Sequence, residues 1–168
     1  MKLDWFGRYR DITAALIQFS NTMIKTANTE WDIGDGVFLT GPEWQVLELV
    51  IEHDDENLIM TDYAKLLGIS KSGISKMTKT LIADELVEKY RFRDNNKTII
   101  LRPTQRGYDL YFSYVETLIK PLYDVLFQGL SSLDDKALDT FTSAILNFNV
   151  AEQDKSSAEQ KNDLIKIT

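Results

Sequence analysis

Apolar side chains recur at helical spacing near both ends of the chain. Between residues 8 and 29 they are three and four residues apart, which predicts a helix with one apolar face. A longer helix is predicted from a cap at Thr104 to about residue 129, with Pro121 kinking or breaking it. A further helix follows Ser132. These apolar faces require a partner that covers them.

A glycine-rich break at residues 34–36 separates the first helix from a second one. Thr40 and Glu43 have the spacing of a capping box, and Pro42 lies in the first turn. A polar run, HDDEN, ends this helix. The short apolar run at residues 58–60 then predicts a brief strand.

Two short helices joined by a tight turn come next. Thr61 is expected to cap the first helix, which ends near Leu67. Gly68 allows the positive φ that a sharp turn requires, and Ser70 is expected to cap a second helix over residues 71–84. The pattern therefore predicts a helix-turn-helix.

The cations of this acidic protein are concentrated around that motif. The 168 residues carry a net charge of −7, yet residues 70–106 hold nine Lys or Arg against four Asp or Glu, a local charge of +5. Two β-prone runs, at residues 87–93 and 97–102, predict a hairpin that carries part of this charge. The alternative is a merely solvated charged segment. A basic region in an acidic chain favours a polyanionic partner.

The predicted helix over residues 71–84 has two opposite faces. Ile74, Met77 and Leu81 form the apolar one. The other face carries hydroxyl and ammonium groups, which suit base edges and phosphates in the major groove of DNA. A solvated face is the commoner meaning of such lysines, but the basic hairpin supplies a second cationic arm. The residues expected to contact DNA are Thr61, Ser70, Lys71, Ser72, Ser75, Lys76, Lys79, Arg91, Arg93, Asn96 and Lys97.

Four segments between about residues 39 and 146 are similar to one known family. They are LTGPEWQVL, MTDYAKLLGISKSGISKMTKTLIADELVEK, LRPTQRGYDLY and GLSSLDDKALDTF. They resemble the MarR-type winged-helix transcription regulators, and the order of helices and wing agrees throughout. The resemblance implies an obligate homodimer held by the first and last two helices, a palindromic DNA site and often a small ligand that releases DNA. The corresponding dimer contacts expected here are Ile12, Leu16, Phe19, Leu122, Leu126, Phe141, Ile145 and Phe148.

The wing departs from the family pattern. Counting back from Thr104, the family usually bears Asp-Arg-Arg where this chain has Asn95, Asn96 and Lys97. The usual minor-groove arginine is therefore missing from its expected place. Arg93 or Lys97 is expected to substitute for it.

Other kinds of chemistry have little support in the sequence. His53 is the only histidine, and the acids beside it are consecutive, so a solvated loop is favoured over a metal site. Cysteine is absent, and no phosphate-binding loop or spaced carboxylate pair is visible, so neither an enzyme nor a cofactor is expected. Trp31, Phe38 and Trp44 are candidates to line a cavity for a small aromatic or lipophilic effector, although plain core is the commoner role of such aromatics.

We therefore predict a mainly α protein with a small β wing (α+β), a winged helix-turn-helix with N- and C-terminal dimerisation helices. Residues 1–36 form the N-terminal dimerisation region, 37–104 the DNA-binding domain, 105–150 the C-terminal dimerisation helices and 151–168 a polar, flexible tail. The predicted function is a sequence-specific, homodimeric DNA-binding transcription regulator, a repressor on a palindromic operator, released by an effector. The alternative is a winged-helix interaction module that binds an acidic protein. Without a signal peptide or a spanning apolar run, the protein is expected to be cytoplasmic and to bind no membrane.

Overall fold

The computed structural model describes residues 4–93 and 95–159, with the side chains of residues 5–93 and 98–150. The helices and strands are α1 (Arg10–Thr26), β1 (Glu30–Gly34), β2 (Val37–Thr40), α2 (Gly41–Glu52), α3 (Met60–Leu67), α4 (Lys71–Ala83), β3 (Val87–Phe92), β4 (Asn95–Pro103), α5 (Gln105–Tyr114), α6 (Lys120–Leu130) and α7 (Asp135–Glu159). The fold is mainly helical with a small antiparallel wing, β3–β4, as predicted. No helix within the described ranges is long and apolar enough to cross a membrane.

Side-chain caps fix the starts of three helices where the sequence predicted them. The backbone N–H and the hydroxyl of Thr40 both donate to Glu43 Oε2, at 2.9 and 2.7 Å. Ser70 Oγ accepts from the N–H of Gly73 at 3.1 Å. Thr104 Oγ1 accepts from the N–H of Gly107 at 2.9 Å. Each bond satisfies a backbone donor that the first helical turn leaves without a partner.

Two other helix starts differ from the prediction because a neighbouring carboxylate takes the capping role. Thr61 lies inside α3, which begins at Met60, and the Asp62 carboxylate accepts from the N–H of Ile59 at 3.0 Å. At α7, Asp134 Oδ1 accepts from the N–H of Ala137 at 2.8 Å, so the helix begins two residues later than a Ser132 cap would allow. A carboxylate is a strong acceptor for such a donor and also interacts favourably with the helix dipole.

The hairpin formed by β1 and β2 was not predicted. Asp35 and Gly36 have φ values of 53° and 73°, the left-handed conformation that a tight hairpin turn requires at both central positions. The pairing of Trp31 with Leu39 and of Asp32 with Phe38 then directs alternate side chains to opposite faces. The predicted strand at residues 58–60 is reduced to one bridge, between Ile59 and Ile100.

The core of the first unit, which ends at Ile119, lies beneath the winged helix. Tyr63, Ile74, Leu81 and Leu101 are fully buried there, together with Leu39, Val46, Leu47, Val50, Leu86 and Val87. Helix α5 packs in the same unit, because Leu110 and Tyr114 belong to this core. This compact unit ends at Ile119 and so includes α5, which follows the boundary predicted after residue 104.

The long C-terminal helix is interrupted before Pro121. Helix α5 ends at Tyr114, residues Val115–Ile119 form a π turn, and α6 begins at Lys120. Pro121 has no N–H to donate, and the wider turn just before it accommodates that missing bond.

The second unit, from Lys120, exposes most of its apolar side chains. Leu122, Val125 and Phe148 are 66%, 75% and 65% exposed. Helix α7 continues to Glu159 and so includes residues 151–159 of the tail predicted from residue 151. The rest of that predicted tail, 160–168, lies outside the described residues.

Candidate nucleic-acid interface

Helix α4 separates its apolar and cationic side chains onto opposite faces, as the sequence predicted. Ile74 and Leu81 are fully buried, and the hydroxyl of the buried Thr78 donates to the Ile74 carbonyl at 2.8 Å. Ser75 is half-buried. The outer face presents the exposed side chains of Lys71, Ser72, Lys76 and Lys79. An anchored helix that exposes three lysine side chains can enter a groove lined by phosphates.

The hydroxyl groups at the start of α4 are linked to each other. Ser70 Oγ lies 3.0 Å from Ser72 Oγ while it caps the helix. Ser70 thus fixes the start of the helix, whereas the exposed hydroxyl of Ser72 can still form a hydrogen bond with an external partner. Gly73 places its N–H inside this cap. Of the other predicted contacts, Thr61 is half-buried inside α3.

Lys76 is electrostatically coupled to the start of α2. Burial raises the pKa of Glu43, but hydrogen bonds from Thr40 and Thr80 and the positive charge of Lys76 outweigh it, and the pKa is lowered overall. Glu43 therefore stays ionised and attracts Lys76 from within the protein. The sequence identified Glu43 as a capping residue but gave no sign of this contact between distant elements.

The wing carries exposed cations beside exposed aromatic rings. Arg91 and Arg93 are exposed, as predicted, and so are Tyr90 and Phe92. Asn96 and Lys97 were also predicted to contact DNA, and their side chains lie outside the described residues. The Tyr90 hydroxyl donates to a Glu88 carboxylate oxygen at 2.6 Å. The aromatic residues were not among the predicted contacts, although their alternation with arginine in YRFR is visible in the sequence.

Arg102, counted above as part of the local positive charge, instead holds the base of the wing. Its Nη1 donates to the Glu56 carbonyl at 2.7 Å, and its Nη2 donates to Asn57 Oδ1 at 2.8 Å. Its Nε lies 3.6 Å from an Asp54 carboxylate oxygen. The other Asp54 oxygen accepts from the Tyr108 hydroxyl at 2.8 Å. The loop after α2, strand β4 and helix α5 are thereby connected at the base of the wing.

The three candidate effector residues do not line a common cavity in one subunit. Trp44 is buried in the core, where it stacks on Tyr111 with ring centroids 4.8 Å apart. Trp31 and Phe38 are 43% and 51% exposed and occupy opposite faces of the β1–β2 hairpin. For Trp44, plain core is therefore the correct interpretation.

His53 lies at the end of α2, in contact with a carboxylate. Its Nδ1 is 2.9 Å from Glu56 Oε1, and this hydrogen bond is the main reason that the pKa of His53 is raised. Within the described part of the chain, no three His, Cys, Asp or Glu side chains are grouped as metal ligands.

The predicted dimer contacts on α1 are exposed to different degrees. Ile12, Leu16 and Phe19 are 44%, 36% and 56% exposed, and α1 has no buried residue. In the second unit, Leu122, Leu126, Phe141 and Phe148 are exposed, and Ile145 is half-buried. Each unit thus presents apolar surface available for a partner.

Comparison with known proteins identifies the central segment. Residues 39–95 match the model of the MarR family. This segment is therefore similar to the winged helix of the MarR family. The match starts at the end of β2, contains α2, α3, α4 and β3, and ends at the first residue of β4.

One curated relative and several solved structures are similar to this chain. The HTH-type transcriptional regulator PchR of Bacillus subtilis (strain 168) is 26% identical over 111 residues, and the match spans 64% of this chain and 64% of that relative's length. The S. aureus MepR–DNA complex has a TM-score of 0.61 at 16% identity and covers 83% of this chain and 96% of that one. Streptococcus pneumoniae FabT in complex with DNA has a TM-score of 0.58 at 13% identity and covers 87% and 98%. At these identities the solved structures establish the shared fold.

Proposed function

We propose that this protein is a homodimeric, sequence-specific DNA-binding transcription regulator and not an enzyme. The observation that carries the proposal is the anchored helix α4, which exposes Lys71, Lys76 and Lys79 opposite a fully buried apolar face in an acidic protein. Ser72 and Ser75 lie on or beside the same face and supply hydroxyls for base edges. Arg91 and Arg93 extend the positive surface along the wing, where they suit the DNA backbone or the minor groove.

A second copy of the chain is part of this proposal. Helix α1 leaves Phe19, Met23 and Ile24 56%, 46% and 69% exposed, and α6 has no buried residue. Such faces favour burial in an isologous interface. Two α4 helices related by a two-fold axis would then read a palindromic operator with half-sites about 34 Å apart.

Repression with release by an effector is the regulatory form that we propose. A DNA-bound dimer blocks a promoter by occupying it. Since the exposed rings of Trp31 and Phe38 lie on opposite faces of the β1–β2 hairpin, a small aromatic or lipophilic effector would contact one of them, at a site that the partner subunit closes. An effector of this kind should release DNA and should leave the dimer intact.

The deciding experiment is selection of genomic fragments with the purified full-length protein, followed by anisotropy titrations of the recovered duplex. An inverted repeat is expected. Lys76→Ala and Lys79→Ala should each weaken binding and reduce the salt slope by about one unit per lost phosphate contact. Lys136→Ala, at an exposed lysine of α7, is the matched control. Unchanged affinity and slope for both α4 variants would exclude α4 as the reading helix.

The alternative is a winged-helix module that binds an acidic protein through the same cationic surface. Competition with bulk duplex DNA at low salt separates the two functions. A DNA reader is displaced from its operator, whereas an interaction module keeps its protein partner.

A further inference from the structure

The wing of this protein ends in an aromatic ring between two cations. Phe92, the last residue of β3, is 47% exposed, and its neighbours Arg91 and Arg93 are also exposed. Phe92 is neither in the buried core nor among the partly buried residues packed against it. Its ring therefore adds little to the stability of its own subunit, although apolar surface at the end of a small charged hairpin favours association.

The backbone at this point is irregular. Arg91 pairs with Ile99 and Phe92 pairs with Asn95, so the register of the wing shifts between Arg91 and Phe92. A bulge of this kind redirects the side chains that follow it and is common where a strand serves a binding site. Tyr90, the other exposed ring of β3, is held by its hydrogen bond to Glu88, whereas Phe92 has no polar group that needs a partner.

We propose that Phe92 is an apolar wedge that contacts a base step of duplex DNA beneath the wing. This inference rests on the function proposed above and names a residue that determines specificity within it. Arg91 and Arg93 attract the phosphate backbones, and the increased local twist at the register shift turns the ring between them toward the groove. Aromatic and aliphatic wedges partially unstack the base steps that they enter and kink the duplex. Pyrimidine–purine steps unstack most readily, so the wing selects such a step at each end of the operator.

The chemistry distinguishes Phe92 from its neighbours. An arginine that neutralises a phosphate displaces counterions, so its loss changes the salt dependence of binding. A phenylalanine that stacks displaces none. Phe92→Ala is therefore expected to weaken binding about tenfold, equivalent to about 1.4 kcal/mol, at an unchanged salt slope. Arg91→Ala should reduce the slope by about one unit.

The test uses the full-length protein and the duplex recovered by the genomic selection. 2-Aminopurine, whose fluorescence rises when it unstacks, is placed at successive steps of one half-site. The wild-type protein should raise the fluorescence at a step beneath the wing, Phe92→Ala should abolish that rise, and Phe92→Leu should retain most of it. Phe112→Ala removes a phenylalanine that is 54% exposed on α5 and should behave as wild type.

Four outcomes would overturn the inference. Binding of Phe92→Ala within twofold of wild type, with the same fluorescence pattern, shows that the ring meets no base. If Phe92→Ala reduces the salt slope as Arg91→Ala does, the loss of affinity comes from phosphate contacts. If Phe92→Ala changes the sedimentation coefficient, the ring lies in the contact between subunits. If the wild-type protein itself selects no duplex, the proposed function fails and this inference fails with it.

Discussion

Gly107, in the first turn of α5, provides the sharpest test of how the winged helix is packed. A Cβ atom built at this position would lie 2.2 Å from the Leu86 carbonyl oxygen, about 1 Å inside an ordinary carbon–oxygen contact. The same oxygen accepts from the N–H of Thr104 at 3.0 Å. Thr104 Oγ1 in turn donates to the Glu85 carbonyl at 2.7 Å and accepts from the N–H of Gly107. An added methyl group must therefore push the start of α5 away from β3 and lengthen these bonds.

The expected magnitude follows from three contributions to the free energy of unfolding. Overpacking against backbone costs about 1–3 kcal/mol. Weakening two hydrogen bonds costs about 1 kcal/mol each. Alanine returns about 1 kcal/mol through its higher helix propensity. Gly107→Ala should therefore lower the free energy of unfolding by about 2–4 kcal/mol.

The assay is urea denaturation at one fixed protein concentration, because association of subunits makes apparent stability depend on concentration. Gly129→Ala is the matched control, since no atom lies within 4 Å of the Cβ it would add. That variant should be as stable as wild type or more stable by up to about 1 kcal/mol. If Gly107→Ala were as stable as the wild type, or if both variants changed the free energy of unfolding equally, the close packing of Gly107 on Leu86 would be refuted.

Three further predictions concern polar contacts. Arg102→Ala should lower the free energy of unfolding by about 2 kcal/mol, measured by urea denaturation. Arg102→Lys should recover little of this stability, because an ammonium group cannot reproduce both guanidinium hydrogen bonds. Full recovery by lysine would contradict the role of these two bonds. Ser70→Ala should lower the free energy of unfolding by about 1 kcal/mol because the helix cap is lost, whereas Ser70→Asp should restore the cap. Equal thermal stability of the two variants would exclude the capping role of Ser70. Because the pKa of Glu43 is lowered on folding, its ionised form stabilises the fold at and above the ordinary value of 4.5 and loses that effect as the pH falls through the folded-state value. Glu43→Gln should accordingly be less stable than wild type at pH 7 and approach it in acid, and a pH-independent difference would show that the charge is not involved.

Local signals in the sequence predicted most of the secondary structure. Glu43, Ser70 and Thr104 each lie three residues from the backbone N–H that they accept from, so these caps could be predicted from spacing alone. The β1–β2 hairpin also had a local signal, because Asp35-Gly36 between alternating apolar residues is typical of a tight hairpin turn. Gly34 and Gly36 are equally typical of a helix break, so the glycines alone do not distinguish the two structures.

Contacts between distant residues could not be predicted in the same way. Arg102 bonds to residues 45 and 46 positions earlier in the chain. No neighbouring residue indicates that this arginine has internal partners. Trp44 has the aromatic character of a pocket residue, and only its stacking on Tyr111 places it in the core. The exposed face of α4 was predictable because periodicity separates inside from outside on a single helix.

The bonds from Arg102 to Glu56 and Asn57 also limit how this protein can be re-engineered. A chimera that takes residues 87–103 from a relative would place a foreign hairpin on a loop that bonds to Arg102 of the original hairpin. If the donor lacks an arginine at the position of Arg102, the carbonyl of Glu56 loses its guanidinium partner and the grafted strands are free to pivot. Transplants should therefore carry residues 53–57 together with the hairpin, and directed-evolution libraries in either segment should vary the two jointly.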